Sequence, residues 1–244
     1  MKISLLCPSR NRINKTLTLL SSLILSTKDT HNIELCLGVD NDDPNLDHYT
    51  KIANNISFVT LIISDPKVHT GLSGIWNNMY KLAGGDILAM VGDDMIFKTA
   101  DWDEVIINSF ENGPSDNLQL IHCNDGMRGA GNRHSHAEPL AVNSFIHRKY
   151  TDLVGRYVQD IDDYIFQDTW LNDVFKMIGR KVYMHDIVIK HLHFSEGGTE
   201  DDVSKELESH RKGVWDNNQL WADTFIPLIK QEARLLKSHL THDQ

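Results

Sequence analysis

GGDILAMVGDDMIF, residues 84–97, sets two adjacent carboxylates directly after a short apolar run. The run at 87–91 is bounded by Gly85-Asp86 and by Gly92, is too short for a helix and is apolar at every position, which predicts a strand covered on both faces. Asp93 and Asp94 then fall at the carboxyl edge of an α/β sheet, where open sheets of this class gather their ligands. Hard cations such as Mg²⁺ and Mn²⁺ take oxygen ligands and can bridge a carboxylate to a diphosphate. The pair is therefore a candidate metal site. A plain strand-to-turn junction is the competing reading, because Gly and Asp favour turns for local backbone reasons.

Upstream, 2–7 reads as a strand ending in Pro8-Ser9-Arg10-Asn11-Arg12, after which Ile13, Leu17, Leu20 and Ile24 recur at helical spacing. This loop lies at the same sheet edge as the carboxylates. Its Ser9, Arg10 and Arg12 suit a nucleotide's base, ribose or phosphate, against the alternative of solvated surface arginines. A second strand, 33–39, runs into Asp40-Asn41-Asp42-Asp43-Pro44, where Pro44 opens a short helix capped by Asp43 and Asp40 is placed to meet a nucleobase. A third strand follows at 58–63. HTGLSG at 69–74 leads into a helix with Ile75, Met79 and Leu82 on one face, ending at Gly84-Gly85. Glycines such as Gly71 let backbone approach a diphosphate, although the Gly-Lys-Ser/Thr end of a Walker loop is missing. Strands alternating with helices predict an α/β fold with a mostly parallel central sheet.

Downstream, Asp101-Trp102-Asp103-Glu104 starts a helix with acidic groups in its first turn, and 118–123 is a further strand. Residues 124–137 form a glycine-containing loop with Arg128, Arg133, His134 and His136, the kind that serves as a lid or a connector. After a strand at 140–147, a helix is built on Trp170, Val174, Phe175 and Ile178. Asp168 lies in its first turn, where capping or the helix dipole alone would account for an aspartate. The strand at 181–193 ends in His191-Leu192-His193, two imidazoles on one face that suit a metal or a phosphate. Residues 195–202 read as a hinge or lid. The remainder is mostly helical, with Trp215, Trp221, Phe225 and Ile229 as apolar positions for packing on the core or on a second subunit.

At 244 residues, 41% hydrophobic, the chain supports one core with an appended element, divided here as a domain at 1–194 and a flexible segment with a helical extension at 195–244. A net charge of -10 excludes a broad basic footprint for nucleic acid. The first seven residues are too short for a secretory leader, and no apolar run approaches the roughly 18 residues of a membrane span. Cys7, Cys36 and Cys123 lie far apart and read as reduced core residues of a cytoplasmic protein.

Taken in order, Cys7-Pro8-Ser9-Arg10-Asn11-Arg12, Val39-Asp40, Gly71-Leu72-Ser73 with Asn77, residues 85–94, Gln167-Asp168, Gly179-Arg180-Lys181-Val182-Tyr183 and His191-Leu192-His193 resemble the family-2 type glycosyltransferases of the glycosyltransferase A fold. The resemblance spans about 2–194 and implies a single Rossmann-like domain. It implies that the early loop, Pro8 to Arg12, and Asp40 hold the base of a donor, UDP-sugar favoured, with Gly71, Asn77 and Asp93 also on the donor. The family's Asp-x-Asp metal motif corresponds to Gly92-Asp93-Asp94, with glycine at the first position. Asp94 is the favoured ligand of Mn²⁺ or Mg²⁺, joined by His193 or by its neighbour His191. Gln167-Asp168 matches the pair that supplies the catalytic base of inverting members, which makes Asp168 the implied base for transfer to an acceptor hydroxyl.

Residues 92–97 with Asp101-Trp102-Asp103 also resemble small bacteriophage-encoded transferases of this fold. That likeness implies a glycan or a modified DNA base as acceptor, with Trp102, Arg128 and Arg133 as further contacts, and the host cytoplasm as location. Homo-oligomerisation through the C-terminal helices is a further expectation. Two other functions share the pattern: a nucleotidyltransferase, which would release pyrophosphate, and a non-catalytic nucleotide- or carbohydrate-binding protein with a degraded metal site.

Overall fold

The structure is a computed structural model that describes residues 1–68, 71–126, 139–160, 166–192 and 221–241. The strands are β1 (Ile3–Pro8), β2 (Ile33–Asp40), β3 (Val59–Ser64), β4 (Ile87–Met90), β5 (Met95–Phe97), β6 (Leu120–Asn124), β7 (Ser144–His147) and β8 (Lys181–His191). The helices are α1 (Ile13–Ser26), α2 (Leu46–Asn55), α3 (Gly71–Leu82), α4 (Trp102–Glu111), α5 (Arg148–Val154), α6 (Gln167–Met177) and α7 (Ile226–Lys237). One turn of π-helix, Trp221–Phe225, leads into α7. Among the described residues no helix is long and apolar enough to cross a membrane.

The eight strands order as β3-β2-β1-β4-β7-β6-β8-β5. β1, β2, β3 and β4 are parallel, β7 runs antiparallel between β4 and β6, and β8 is parallel to β6. The carboxyl ends of β1, β2, β3, β4, β6 and β8 therefore share one edge. Strand burial follows position in this order. Central β1 and β4 are buried at nearly every residue, apolar throughout except for Ser4, which donates to Glu34, whereas edge strand β3 alternates and exposes Thr60 and Ile63.

Two apolar layers sandwich the sheet. One gathers Leu19, Leu20 and Leu23 of α1, Tyr49 of α2, and Trp102, Ile106 and Phe110 of α4. The other gathers Trp76 and Met79 of α3, Tyr150 of α5, Trp170 and Phe175 of α6, and Ile229 and Leu236 of α7. α1 buries Leu19, Leu20 and Leu23 and exposes Leu17 and Ile24, a different stripe from the one its periodicity suggested. α2 starts at Leu46 after Asn45. Asp43, expected as its cap, instead accepts from the backbone of Asn45 and of Asn11, both at 2.7 Å, and so ties two loops together. The three cysteines are buried and free.

α7 is fastened through one buried carboxylate. Glu232 accepts from Tyr150 Oη at 2.6 Å and from Trp170 Nε1 at 3.1 Å, and it pairs with Arg156. A buried acid so satisfied is tolerated, and removing its partners would leave an uncompensated charge.

His122 on β6 has no such partner. It is fully buried, neither ring nitrogen has a hydrogen bond, and its ring stacks on Tyr183 at 4.8 Å. Burial pushes its pKa down to about 3, so the folded state holds it neutral where the unfolded chain would protonate it. The contribution to stability is complete above about pH 6.5 and is lost as pH falls toward 3, at up to about 1.4 kcal/mol per pH unit. His122→Phe keeps the ring stack without the titration, so the stability gap between variant and parent, from urea melts, should widen in the variant's favour below pH 6.5. A pH-independent gap would refute this assignment.

Candidate active site

The site forms where β1, β4 and β8 end together. The turn after β1 is built by Asn11 in the left-handed region (φ 54°), a conformation Asn accepts more readily than most residues. It brings Ser9 and Arg12 back onto the end of β4. Ser9 Oγ donates to Asp93 Oδ2 at 2.7 Å, and Arg12 Nη1 lies 3.0 Å from Asp93 Oδ1. Ser9 has a single proton and gives it to Asp93, so Tyr49 Oη, 2.9 Å away, donates to Ser9 in turn. Tyr49 Oη also accepts from the Arg12 backbone at 3.2 Å.

The two adjacent aspartates face different surroundings. The side chain of Asp93 is only 1% exposed. Burial raises its pKa to about 7 and the Asp94 charge adds to this, against the opposing pull of Arg12 and the Ser9 hydrogen bond. Asp94 is 15% exposed, with Oδ2 at 2.9 Å from Arg12 Nη2 and Oδ1 at 3.3 Å from His191 Nε2. Burial raises its pKa too, but the hydrogen bond and charge of His191 together with Arg12 outweigh it and hold the carboxyl well below the usual range. Asp94 is the aspartate that stays ionised.

Backbone register puts His191 there. β5 pairs antiparallel with β8, Met95 opposite His191, and the Leu192 amide donates to the Asp94 carbonyl at 2.8 Å. Gly92 supplies the room. A Cβ at this position would stand 2.7 Å from Asp94 Oδ1, so the glycine at the motif's first position leaves Asp94 free to turn toward His191.

The Asp94 and His191 atoms fit one divalent cation. Neighbouring ligands of an octahedral ion with bonds of about 2.1 Å lie roughly 3 Å apart, close to the observed 3.3 Å. Among the described residues no group of three or more such side chains gathers as a metal cage.

Other expected residues lie as follows. Arg10 reaches across to β2, Nη1 at 2.8 Å from Asp40 and 2.7 Å from Asp42, and is half-exposed, so Arg10 and Asp40 form one ion-paired unit beside the site. Pro8 closes β1, and Gly71 opens α3 with φ 48°. Gln167 Nε2 donates to Ser73 Oγ at 2.7 Å, which sets the first turn of α6 against that of α3 at the carboxyl edge. Asp168 is in that first turn but is not its cap. Phe166 holds the cap position in the left-handed region, and Asp168 Oδ1 accepts from the amide of Thr169 at 2.7 Å.

Three expectations change. Asp93, expected on the donor, is buried and turned inward to Ser9 and Arg12, so it holds the turn after β1 and does not face a ligand. Asn77 spends its amide within the protein, donating to the Val158 carbonyl at 2.9 Å and to Asp160 at 2.7 Å and accepting from the Tyr157 and Val158 amides, so it shapes residues 157–160 and has nothing left for a donor. Trp102 is fully buried against Phe97 at 4.5 Å and Phe145 at 6.0 Å, so it is a core residue and not an acceptor contact. His193, Arg128 and Arg133 lie outside the described residues, as do most of 124–137 and all of 195–202. Tyr49 went unnoticed in the sequence. A lone tyrosine in a polar helix was the signal, and only the tertiary fold turns it onto Ser9.

Solved structures share this architecture. The chain is similar to the mannosyltransferase PcManGT from Pyrobaculum calidifontis in complex with GDP-Man and Mn²⁺, at 12% identity and TM-score 0.66 over 98% of this chain and 70% of that one. The chain has a glycosyltransferase A fold. S. aureus TarS 1-349 in complex with UDP-GlcNAc gives 15% identity and TM-score 0.59 over 98% of this chain and 72% of that one. The same protein with UDP gives 15% identity and TM-score 0.57, over 78% of this chain but only 59% of that one. No family model matches the sequence, and no curated protein matches it. Within this glycosyltransferase A fold the carboxylates stand at the sheet edge where ligands gather.

The Gly92 geometry is testable. Gly92→Ala should fold with stability within about 1 kcal/mol of the parent, since only a carboxylate tip is in the way, but should turn Asp94 off His191. An unchanged His191 ring signal in the nuclear magnetic resonance spectrum would contradict it.

Proposed function

We propose that this protein is a metal-dependent glycosyltransferase that moves a sugar from a nucleoside diphosphate donor to an acceptor hydroxyl with inversion. The observation that carries the reading is the ionised Asp94 carboxylate 3.3 Å from His191 Nε2, at the carboxyl edge of a sheet with a glycosyltransferase fold. The bound GDP-Man, UDP and UDP-GlcNAc of the similar structures support a nucleotide sugar as donor, and the Mn²⁺ of the first supports a divalent ion. UDP-sugar remains the favoured donor. In this reading residues 1–194 carry catalysis and 195–244 supply the helical extension.

Each residue has a task in the chemistry. Asp94 and His191 would hold Mn²⁺ or Mg²⁺, with His193 as an additional ligand, and the ion when bound would stabilise the negative charge of the departing diphosphate. Arg10 and Asp40, held together as an ion pair, would meet the base and ribose of the donor. Arg12 presents a guanidinium to the phosphates, and Gly71 lets backbone come close to them. Asp168 would accept the acceptor's proton as its oxygen attacks the sugar, the step that gives inversion. A hexosyl donor matches the similar structures.

Two variants test this. Asp94→Ala should abolish the Mn²⁺ dependence of UDP and GDP binding, measured by calorimetry; equal affinity with and without metal in the parent would sink the metal assignment. Asp168→Asn should keep donor affinity and melting temperature near the parent and lose at least about a hundredfold in transfer rate, the lower end of what a missing general base costs. Near-parental turnover with chemistry rate-limiting would reject Asp168. Release of pyrophosphate in place of a nucleoside diphosphate would identify a nucleotidyltransferase.

A further inference from the structure

Arg12 stands where the candidate cation would have to work. Its outer prong, Nη2, lies 2.9 Å from Asp94 Oδ2, while the other Asp94 oxygen faces His191, so both oxygens of the candidate ligand are already engaged by the protein. Its inner prong, Nη1, lies 3.0 Å from the almost fully buried Asp93, which Ser9 also holds. The guanidinium is thus anchored on the inside by Asp93 and turned on the outside to the more exposed Asp94. At 14% exposure it has little water around it to screen a second positive charge.

We propose that Arg12 competes with the divalent cation for Asp94 and yields it only when a diphosphate arrives, so that metal and donor load together. The inference rests on the reading of Asp94 and His191 as cation ligands. A cation placed on Asp94 alone would share the carboxylate with a fixed guanidinium and be repelled by it. A diphosphate removes the conflict, because its oxygens can accept hydrogen bonds from the outer prong and at the same time ligate the cation. Arg12 keeps Asp93 throughout, so the turn at 9–12 need not unfold. Coupling of this kind is reciprocal: whatever factor the diphosphate adds to metal affinity, the metal adds to diphosphate affinity. The site would in this way stay closed to free cations between donors.

The test is Mn²⁺ binding to the full chain, followed by the paramagnetic resonance of the free aqua ion. It is run without nucleotide and with UDP, GDP or pyrophosphate, against each phosphate–metal complex without protein. Arg12→Gln removes the competing charge and should tighten nucleotide-free Mn²⁺ binding at least tenfold. Arg12→Lys keeps a charge against Asp93 without the second prong and should fall between; it carries the comparison if circular dichroism shows Arg12→Gln unfolded. Nucleotide-free affinity no tighter than the parent's in the folded variant, with Mn²⁺ still taken up alongside a diphosphate, overturns the competition and leaves the metal reading standing. Absence of Mn²⁺ binding by the parent under every condition removes the metal reading, and the competition with it.

Discussion

A carboxylate buried at the end of β4 constrains everything around it. Asp93 can lie inside the protein only if its charge and its lone pairs are answered, since an isolated carboxylate in such a place is prohibitively costly. The answer comes from across the chain: Ser9 and Arg12 from the turn after β1, and Tyr49 from α2 behind Ser9. The turn after β1 is thereby pinned to the strand that carries Asp94. A surface loop able to wander becomes a fixed wall of the site, and its guanidinium arrives at a set distance from both acids. The loop's own geometry agrees, with Asn11 taking the one left-handed residue the turn needs and Asp43 receiving its amide.

Adjacent residues leaving a strand diverge, and here the divergence separates two environments. Asp93 turns inward to a structural network and its pKa rises; Asp94 turns toward β8 and is held ionised. Both acids share Arg12, but Asp93 is raised by its burial while His191 together with Arg12 lowers Asp94. Nothing in the dipeptide Asp-Asp distinguishes the two. The distinction comes from β8, whose pairing with β5 fixes His191 beside Asp94, and from Gly92, whose missing side chain leaves the path between them open.

Much of this was legible in the sequence because the interior strands admit no polar face. The run at 87–91 and the carboxylates after it, the turn at 9–12, Asp40 at the end of β2 and His191 at the end of β8 all follow from strand length and edge position. What the sequence hid depends on contacts between distant segments. α1 has two candidate apolar stripes, Leu17 with Ile24 and Leu19 with Leu23, and only the location of α4 and the sheet selects the second. Asn77 and Trp102 carried residue types that suit ligands, yet one is consumed by the backbone of 157–158 and the other fills the core. Asp43 looked like a cap because it precedes a proline and a helix, whereas the Asn11 amide offered it a partner no local pattern could show.

The same dependence on distant partners reaches the proposed base. Asp168 sits in the first turn of α6, a turn with no side-chain cap of its own, so something other than capping must hold it. On one side Gln167 is bonded to Ser73 of α3. On the other, two residues on, the indole of Trp170 donates to Glu232 of α7, the buried acid that also takes Tyr150 of α5 and Arg156. A helix contributed by the last twenty residues thus sets the position of a helix start at the sheet's carboxyl edge. Positioning errors of an ångström are costly where a proton must pass between aligned atoms. The C-terminal helix is therefore tied to the geometry of the site through Glu232, although none of its own residues needs to touch a substrate.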